Sequence, residues 1–488
     1  MKLSNRIVSN TMNIFTIDIV SKIIGMGFMI YAARVLGVKE FGTLILIGTV
    51  INLLNMFSAV GIRPMAIREI AKNKDQGGKY INNVLGLRLI LASVSYMILI
   101  LVVLIVDYEP RVNKLLYIMG LSMFPEALVN TFGIVYIAFE RMKINAQISI
   151  VIGFSSTCIS ILLLYLGYGV MALVLNGIAF SFLNAIIYGY HIWTRFFPFK
   201  IEVKVSILRW MFFESLPFAS HGIMNMITQR SSVFLLSAIK GPVDPTVAIG
   251  YYTPAIKAID PLMKLPHSMR LALLPVISEN ENSPELIKKI VENTTKYLLI
   301  FLSFPIIVMT TFFPEKLVLL ILGDKYLPSA SILGIIGVAF AFKALNAPII
   351  AVLASSGHLY RYLYLSGGVT IFTVILNIFL IPRYSYKGAA VTVLVEAIIT
   401  TLTRHYLVRD IYGTNPGEQK MLIKVFSTIG TSVVLTFILY KVVQIPVPFS
   451  VSIGLVAYGG MIYFLGIFSR NEMAVVVRRL LKKVPVRA

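Results

Sequence analysis

RWMFFESLPFASHGIMNMITQRSSVFLLSAIKGPVDPTVAIGYYTPAIKAIDPLMKLPHSMRLALLPVIS (Arg209–Ser278) is the stretch on which the reading turns. It holds two long apolar segments, about 209–239 and 247–277, each able to cross about 30 Å of hydrocarbon as a helix. Neither is clean. The first carries Glu214, His221, Asn225, Gln229 and Arg230. The second carries Lys257, Asp260, Lys264, His267 and Arg270, with prolines at 254, 261, 266 and 275. An ionisable side chain near the bilayer centre costs about 2.5–3.5 kcal/mol on insertion scales. So many in two adjacent spans predict that these helices face a watery cavity. The pair reads as one wall of a pathway through a membrane.

The rest of the chain agrees with that class. Of 488 residues, 57% are hydrophobic and 14% charged, and the mean hydropathy is +0.84. A soluble protein of this size needs more polar surface, so the expected fold is an all-α integral membrane protein. Barrel strands, which alternate apolar and polar over about ten residues, do not fit runs this continuous. About fourteen spans are expected, near 12–36, 42–63, 81–106, 115–139, 147–167, 170–193, 209–239, 247–277, 294–313, 329–355, 360–381, 386–408, 422–441 and 447–468. The basic run before them, Met1–Arg6, leads into an apolar stretch interrupted by Asp18 and Lys22, which reads as a first span and not as a cleavable signal.

The formal charge of +22 would point to nucleic acid in a soluble protein. Here it sorts by side. Loops sharing a side with the N-terminus hold roughly 26 Lys and Arg, and the opposite loops roughly 10, which predicts that both termini are cytoplasmic in the cell membrane. Nucleic acid is not an expected partner. Trp193 and Trp210 bracket the 194–209 loop as interfacial anchors would. Ser283–Tyr297 places Leu286, Ile287, Ile290 and Val291 at helical spacing, and reads either as an amphipathic surface helix or as a solvated connection. The single Cys158 excludes an intrachain disulfide framework and reads as a small buried apolar residue.

Two internal matches organise the chain. Gly37–Ile70 and Gly241–Glu279 both follow a span, turn, reach an aromatic or apolar residue and Gly (Phe41-Gly42; Ile249-Gly250-Tyr251), and end at a basic exit. The second match sets Tyr168-Gly169-Val170-Met171-Ala172 beside Tyr386-Lys387-Gly388-Ala389-Ala390. The expected organisation is a six-helix lobe over residues 1–200, a second six-helix lobe over 201–414, and two extra helices with a basic cytoplasmic tail over 415–488. Repeats with an even number of spans share an orientation, so an axis along the membrane normal should relate the lobes.

At this point a resemblance appears. Ala33-Arg34-Val35-Leu36-Gly37-Val38-Lys39-Glu40-Phe41-Gly42 resembles the R-x-L-G-x-x-x-[FY]-G turn of the multidrug/oligosaccharidyl-lipid/polysaccharide exporter superfamily. Tyr386-Lys387-Gly388-Ala389-Ala390 resembles its G-x-x-G-A-A entry to the twelfth span, with the first Gly replaced. Within that MATE-like superfamily the chain is most similar to polysaccharide-biosynthesis flippases of the Wzx type. The resemblance covers essentially the whole chain and implies alternating access by two lobes around a central cavity. The matching motifs are structural turns, so they say little about the substrate.

Helix geometry supplies candidates for that cavity. Glu214, His221, Asn225 and Gln229 are spaced by seven, four and four and stay on one helical face, beside Pro217. Lys257, Asp260, Lys264 and His267 are spaced by three, four and three. Asp18 and Lys22 are four apart and can pair with each other. With Arg230 and Arg270 the cavity candidates are Lys22, Glu214, His221, Asn225, Gln229, Arg230, Lys257, Asp260, Lys264 and Arg270, where bases outnumber acids. Such a pocket suits phosphate oxygens. The expected ligand is a polyprenyl (di)phosphate-linked oligosaccharide, its prenyl tail remaining in the bilayer. Tyr31, Tyr136, Tyr251, Tyr252, Asn176 and Asn346 read mainly as packing or helix–helix bonds, and Glu126, Lys343 and Glu396 are further intramembrane charges, Glu396 with Arg404 as a candidate partner.

Other classes fit less well. A cationic-drug exporter of the same superfamily, the alternative, would want an acidic or aromatic cavity. An enzyme would want a polar loop with clustered acids, and a metal site would want clustered His or Cys; neither is present in the sequence. No cofactor is expected. A coupling Na+ or H+ would have Asp18 as its candidate site, with Lys22 as a competing partner, and no Walker loop points to ATP. Glycan-assembly enzymes are candidate partners, and a monomer is expected.

Overall fold

The computed structural model describes residues 2–59, 61–106, 108–280, 283–355, 359–413, 416–441, 443–444 and 447–465; within them it leaves out the side chains of 2–23, 57–59, 212, 215–225, 303, 359–360, 362–363, 416–422, 426, 441 and 447–448. Among these residues the secondary structure is entirely helical. The order begins α1 (Lys2–Ala59), α2 (Ile62–Lys72), α3 (Gly77–Val106), α4 (Pro110–Gly120), α5 (Met123–Ala138), α6 (Met142–Tyr165), α7 (Gly169–Arg195) and α8 (Val205–Ala238). It continues with α9 (Pro245–Ile259), α10 (Lys264–Glu279), α11 (Pro284–Leu298), α12 (Phe304–Phe312), α13 (Pro314–Ile321), α14 (Ser329–Ser355), α15 (Leu359–Tyr412), α16 (Pro416–Lys441) and α17 (Val447–Phe464). Nine helices among the described residues are long and apolar enough to cross a membrane. Their outer surfaces are apolar too: Met97, Leu101, Leu104 and Ile105 on α3 stand exposed, as lipid-facing residues do.

Two of the longest helices bend, and both bends fall on the turns that carry the family resemblance. α1 is broken at Gly37 (φ 73, ψ 178), a backbone region open to glycine. α15 is broken at Ser385 (φ 49, ψ −130). Ser385 occupies the place of the first Gly in the G-x-x-G-A-A pattern. Its counterpart in the internal match, Gly167, also has a positive φ, of 82. The backbone needs the same bend in both repeats, and the second repeat makes it with a side chain present. A non-glycine residue held there costs on the order of 1–3 kcal/mol.

The contacts group the chain into two compact units: Met1–Lys257 with Val318–Ser329 and Thr370–Thr392, and Ala258–Leu317 with Ala330–Val369 and Val393–Ala488. In the first unit, α2, α3, α5 and α7 enclose a core of Ile62, Met65, Ile70, Ile81, Val84, Phe132, Val135, Tyr136 and Tyr188. The connection to α8 is laced onto the start of α3. Asn82 Oδ1 accepts the Lys200 N–H at 2.9 Å and Asn83 Oδ1 that of Lys204 at 3.1 Å. Glu202 O lies so close over Gly86 that a Cβ there would overlap it. The Lys204 ammonium and the Asn82 amide hold the Glu202 carboxyl below its ordinary range. Trp193 and Trp210, at the ends of this connection, are both exposed.

The first unit also contains the meeting of the two internal repeats. A Cβ on Gly42 would overlap Thr246 O, and one on Gly250 would overlap Val38 O. Thr246 precedes Gly250 by four residues, and Val38 precedes Gly42 by four. Each glycine therefore receives the carbonyl one helical turn before its counterpart, and the contact is reciprocal. The rest of the Arg34–Gly42 motif surrounds it. Arg34 donates to the carbonyls of Leu320 and Ile321 at the C-terminal end of α13, the negative end of that helix, the latter bond at 3.1 Å. Phe41 meets Tyr326 edge-on at 6.5 Å, and Tyr326 Oη donates to Ala33 O at 2.9 Å. On the other side, Asp244 caps α9, accepting the N–H groups of Thr246 (2.9 Å) and Val247 (3.2 Å), with Pro245 in the first turn. Burial pushes the Asp244 carboxyl up, but the Thr246 hydroxyl and these bonds leave it below its ordinary range.

In the second unit, α11 packs its apolar face inward. Ile287 and Val291 join Ile277, Ala351 and Val352 in one cluster. The helix then runs through a π-helical turn, Leu299–Ser303, into α12. Ser283–Tyr297 is therefore the opening of a span-length helix, its amphipathic pattern matched to protein on one side. A second cluster joins Phe304, stacked on Tyr458 at 3.5 Å, to Leu345 and Val425.

Cys158 is exposed on α6, contrary to the sequence expectation, because hydropathy reports removal from water and a lipid-facing position satisfies it as well as a buried one.

The close approach and the strained bend can each be tested by one added or removed carbon. Gly42→Ala and Gly250→Ala should each destabilise by about 1–3 kcal/mol, the usual range for overpacking, whereas Gly48→Ala, where a Cβ meets open space, should stay within about 0.5 kcal/mol. Thermal unfolding of the detergent-solubilised protein separates these. Ser385→Gly should raise the midpoint, by relief of about 1 kcal/mol of backbone strain; an unchanged or lower midpoint would show that Ser385 bears no strain.

Candidate functional site

The described structure places the sequence candidates as follows. Asp18, Lys22, His221 and Asn225 are side chains outside the described residues, as is Pro217. Glu214 is exposed on α8 and accepts from Arg68 Nη2 at 3.2 Å. Arg68 also reaches Glu69 at 2.8 Å, and Lys72 reaches Glu69 at 3.2 Å. This set fastens α8 to the C-terminal end of α2. Burial alone would raise the Glu69 carboxyl; Lys72 and Arg68 hold it below its ordinary range. Farther along α8, Gln229 is exposed and Arg230 half-buried. Their neighbours on α8 bind α15: Thr228 to Thr370 at 2.6 Å, and Asn377 Nδ2 to Ser232 Oγ at 3.2 Å.

The second stripe differs from its expected form. α9 ends at Ile259, a 3₁₀ turn occupies Asp260–Met263, and α10 begins at Lys264. Pro261 has no N–H to give an α-helix, and a 3₁₀ turn advances three residues per turn. Spacings of three, four and three therefore do not keep Lys257, Asp260, Lys264 and His267 on one helical face. Lys257 is half-buried at the end of the first unit. Asp260 and Arg270 are half-buried and Lys264 exposed, all in the second unit.

The secondary candidates resolve mostly into helix–helix bonds. Tyr136 Oη lies 2.9 Å from His191 Nδ1, and its ring meets Tyr188 edge-on at 5.5 Å. Tyr188 Oη donates to Asn145 Oδ1 at 2.6 Å. Asn176 Nδ2 donates to Ser160 Oγ at 2.8 Å, and Asn346 Nδ2 to Thr401 Oγ1 at 3.1 Å. Glu126 accepts from Asn55 Nδ2 at 2.5 Å. Tyr251 and Tyr386 rings lie 5.5 Å apart, and Tyr252 is buried. Among the described residues no group of His, Cys, Asp and Glu is placed to hold a metal ion.

These helices and turns can be set against known proteins. A family model described as "Polysaccharide biosynthesis protein" matches residues 7–281, more than half of the chain. The chain belongs to this polysaccharide biosynthesis protein family. An uncharacterized membrane protein of Methanocaldococcus jannaschii is 24% identical over 326 residues, 61% of this chain. The match spans 60% of that relative's length. Among solved structures, the lipid II flippase MurJ in an inward closed conformation aligns with a TM-score of 0.73 and 16% identity, covering 94% of this chain and 98% of its own. An inward-facing multidrug resistance MATE family transporter of the MOP superfamily aligns at 0.56 with 14% identity, covering 81% and 96%. The Vibrio cholerae MATE transporter VcmN, in a mutant form, aligns at 0.51 with 16% identity, covering 85% and 99%. Identities this low show a common fold. The family resemblance read from two turn motifs is borne out, and so is the all-helical membrane class.

In this polysaccharide biosynthesis protein the best-defined interior charge pair is one the sequence matched wrongly. Glu396 on α15 takes Lys343 of α14, at 2.8 Å, and not Arg404 on its own helix. Thr400 Oγ1 adds a bond to Glu396 Oε1 at 3.1 Å. The sequence also passed over Arg88, an arginine 3% exposed inside α3. Its signal was available in Gly86-Leu87-Arg88-Leu89-Ile90, where a single base interrupts an apolar run.

Removing one partner of the Lys343–Glu396 pair strands the other. Because Lys343 is partly exposed, Lys343→Met should cost about 1–3 kcal/mol, below the 3–5 typical of fully buried pairs, and Lys343→Met with Glu396→Gln should recover part of the loss. Thermal unfolding of the two single variants and the double variant closes the cycle; strict additivity would mean that the pair is not coupled.

Proposed function

We propose that the protein moves a polyprenyl (di)phosphate-linked oligosaccharide across the cell membrane by alternating access, for cell-surface glycan assembly. The observation that carries this reading is the combination of a polysaccharide biosynthesis family match with a MurJ-like fold along 94% of the chain. That structural neighbour is named as a lipid II flippase. The basic character of the second stripe supports the same reading. Lys257, Lys264 and Arg270 outnumber Asp260, and ammonium and guanidinium groups bind phosphate oxygens by charge-assisted hydrogen bonds. In this proposal the lobes of residues 1–200 and 201–414 alternate, both termini are cytoplasmic, and the head group leans on Lys257 and Lys264. Arg270 stands nearer the cytoplasmic opening. Glu214, His221, Asn225, Gln229, Arg230 and Lys22 line the remaining polar surface, and Asp18 is the place for a coupling Na+ or H+.

A drug exporter on the same fold would need to attract cations, which the excess of Lys and Arg in these stripes opposes. Reconstitution distinguishes the two. Lys257→Gln with Lys264→Gln should slow translocation of a polyprenyl diphosphate-linked sugar about ten-fold or more at normal protein level, the loss expected for two charge-assisted contacts. Undiminished translocation would remove both lysines from the pathway. Transport of a cationic dye in place of the lipid-linked sugar would favour the exporter.

A further inference from the structure

The interior of the first unit holds a charge that no protein group answers. Arg88 lies inside α3 and is 3% exposed. Its Nε is sealed from solvent and has no hydrogen-bond partner. No ion pair joins it to a carboxylate among the described residues. The charged group that acts on it is Arg63 of α2, of the same sign. This differs from the other interior charges described above. Glu396 has Lys343 and Thr400, and Glu126 has Asn55.

The two arginines stand at one level. α2 and α3 are joined by the short turn Lys74–Gln76. Arg63 lies nine residues before the end of α2 at Lys72, and Arg88 eleven residues after the start of α3 at Gly77. At a rise of 1.5 Å per residue both sit roughly 14–17 Å from the connecting turn, about half the thickness of the hydrocarbon. Arg63 is exposed and Arg88 sealed, so the pair runs from the surface of α2 into the core. Tyr188, which also feels the charge of Arg63, lies on the same side. Its hydroxyl is already held by Asn145 and Ser149.

Two like charges at this depth repel each other, and each resists desolvation. A single anion between them would relieve both costs. A guanidinium matches phosphate best, because its planar fork can give two parallel hydrogen bonds to two oxygens. A carboxylate can accept the same fork, but carries a single charge for two bases.

We propose that Arg63 and Arg88 form an anion site at mid-membrane depth on the α2–α3 hairpin, taking a phosphate or diphosphate group. Arg63 meets the anion at the surface of α2, and Arg88 holds it from inside. The site is separate from the Lys257–Lys264 stripe and requires only binding, so it stands or falls apart from the transport reading.

The test uses the full chain purified in detergent, with inorganic pyrophosphate, a polyprenyl diphosphate and the uncharged polyprenol as probes. Binding is read by thermal shift and native mass spectrometry for wild type, Arg88→Gln, Arg88→Lys, Arg63→Gln and the Lys257→Gln, Lys264→Gln double variant. The expected result is that a diphosphate probe binds and the polyprenol does not. Affinity should fall about ten-fold or more in Arg88→Gln and in Arg63→Gln, and less in Arg88→Lys, while the lysine double variant still shows the arginine-dependent binding. Binding of pyrophosphate would identify a water-borne anion as sufficient; binding of the polyprenyl diphosphate alone would identify a lipid head group. Arg63 is exposed, so Arg63→Gln remains informative if Arg88→Gln does not fold. Diphosphate binding that is unchanged in Arg63→Gln, or lost only in the lysine double variant, or absent from wild type, overturns the site.

Discussion

A backbone carbonyl from each repeat rests where the other repeat has a glycine. The Val38–Gly42 and Thr246–Gly250 turns meet so closely that a single added carbon on either side would lie inside a carbonyl oxygen. Much of the surrounding structure serves that approach. Gly37 bends α1 so that the next turn can present Val38 O and Gly42. Asp244 and Pro245 start α9 so that Thr246 O lies one turn before Gly250. Arg34, by binding the end of α13, fixes the stem of the motif. The contact of carbonyl on glycine contains no ion pair and no strong hydrogen bond. It gains only from dispersion and from weak contacts to carbonyl oxygens, each worth little. An interface of that kind is specific in shape yet inexpensive to separate, which suits a fold proposed to alternate between states.

The class of the protein was legible in the sequence because membrane spans need only length and apolarity. The bends were legible as well. Gly37 stood in a recognisable turn, and Ser385 stood where the pattern has glycine; the structure gives both positions a positive φ. What the sequence could not supply was the choice of neighbour. Glu396 and Arg404 are on one helix and looked like partners, but α14 places Lys343 at 2.8 Å from Glu396. Glu214 looked like part of a polar stripe, and the fold sets it against Arg68 at the end of α2. Helical spacing lists which residues share a face; it carries no information on what lies opposite.

The stripe through Lys257, Asp260, Lys264 and His267 failed for a different reason. It assumed an uninterrupted α-helix across Pro261. The proline was visible, and it does what proline does inside a helix: the backbone leaves α geometry at Asp260 and resumes it at Lys264. Cys158 shows the complementary limit. In a membrane protein, apolarity marks two environments, protein interior and lipid, and the sequence weighs them equally. The exposed Leu and Ile residues of α3 make the same point.

The interior charges then divide by what they leave available. Lys343 and Glu396 neutralise each other, and a pair already satisfied gains nothing from a ligand that must displace one of its members. A sealed arginine facing a second arginine is in the opposite position. Its desolvation penalty is present in the empty protein, and an arriving anion removes it while forming new hydrogen bonds. The free energy released on binding is therefore larger than the contacts alone would give, because part of it is relief of strain already held in the fold. The same logic fixes selectivity. A neutral ligand of similar shape relieves nothing, so a buried basic pair discriminates by charge more sharply than an exposed lysine, whose solvation is almost intact before binding. On this argument a helix hairpin that keeps two like charges at mid-depth is better explained by an anion it receives than by any stability it confers.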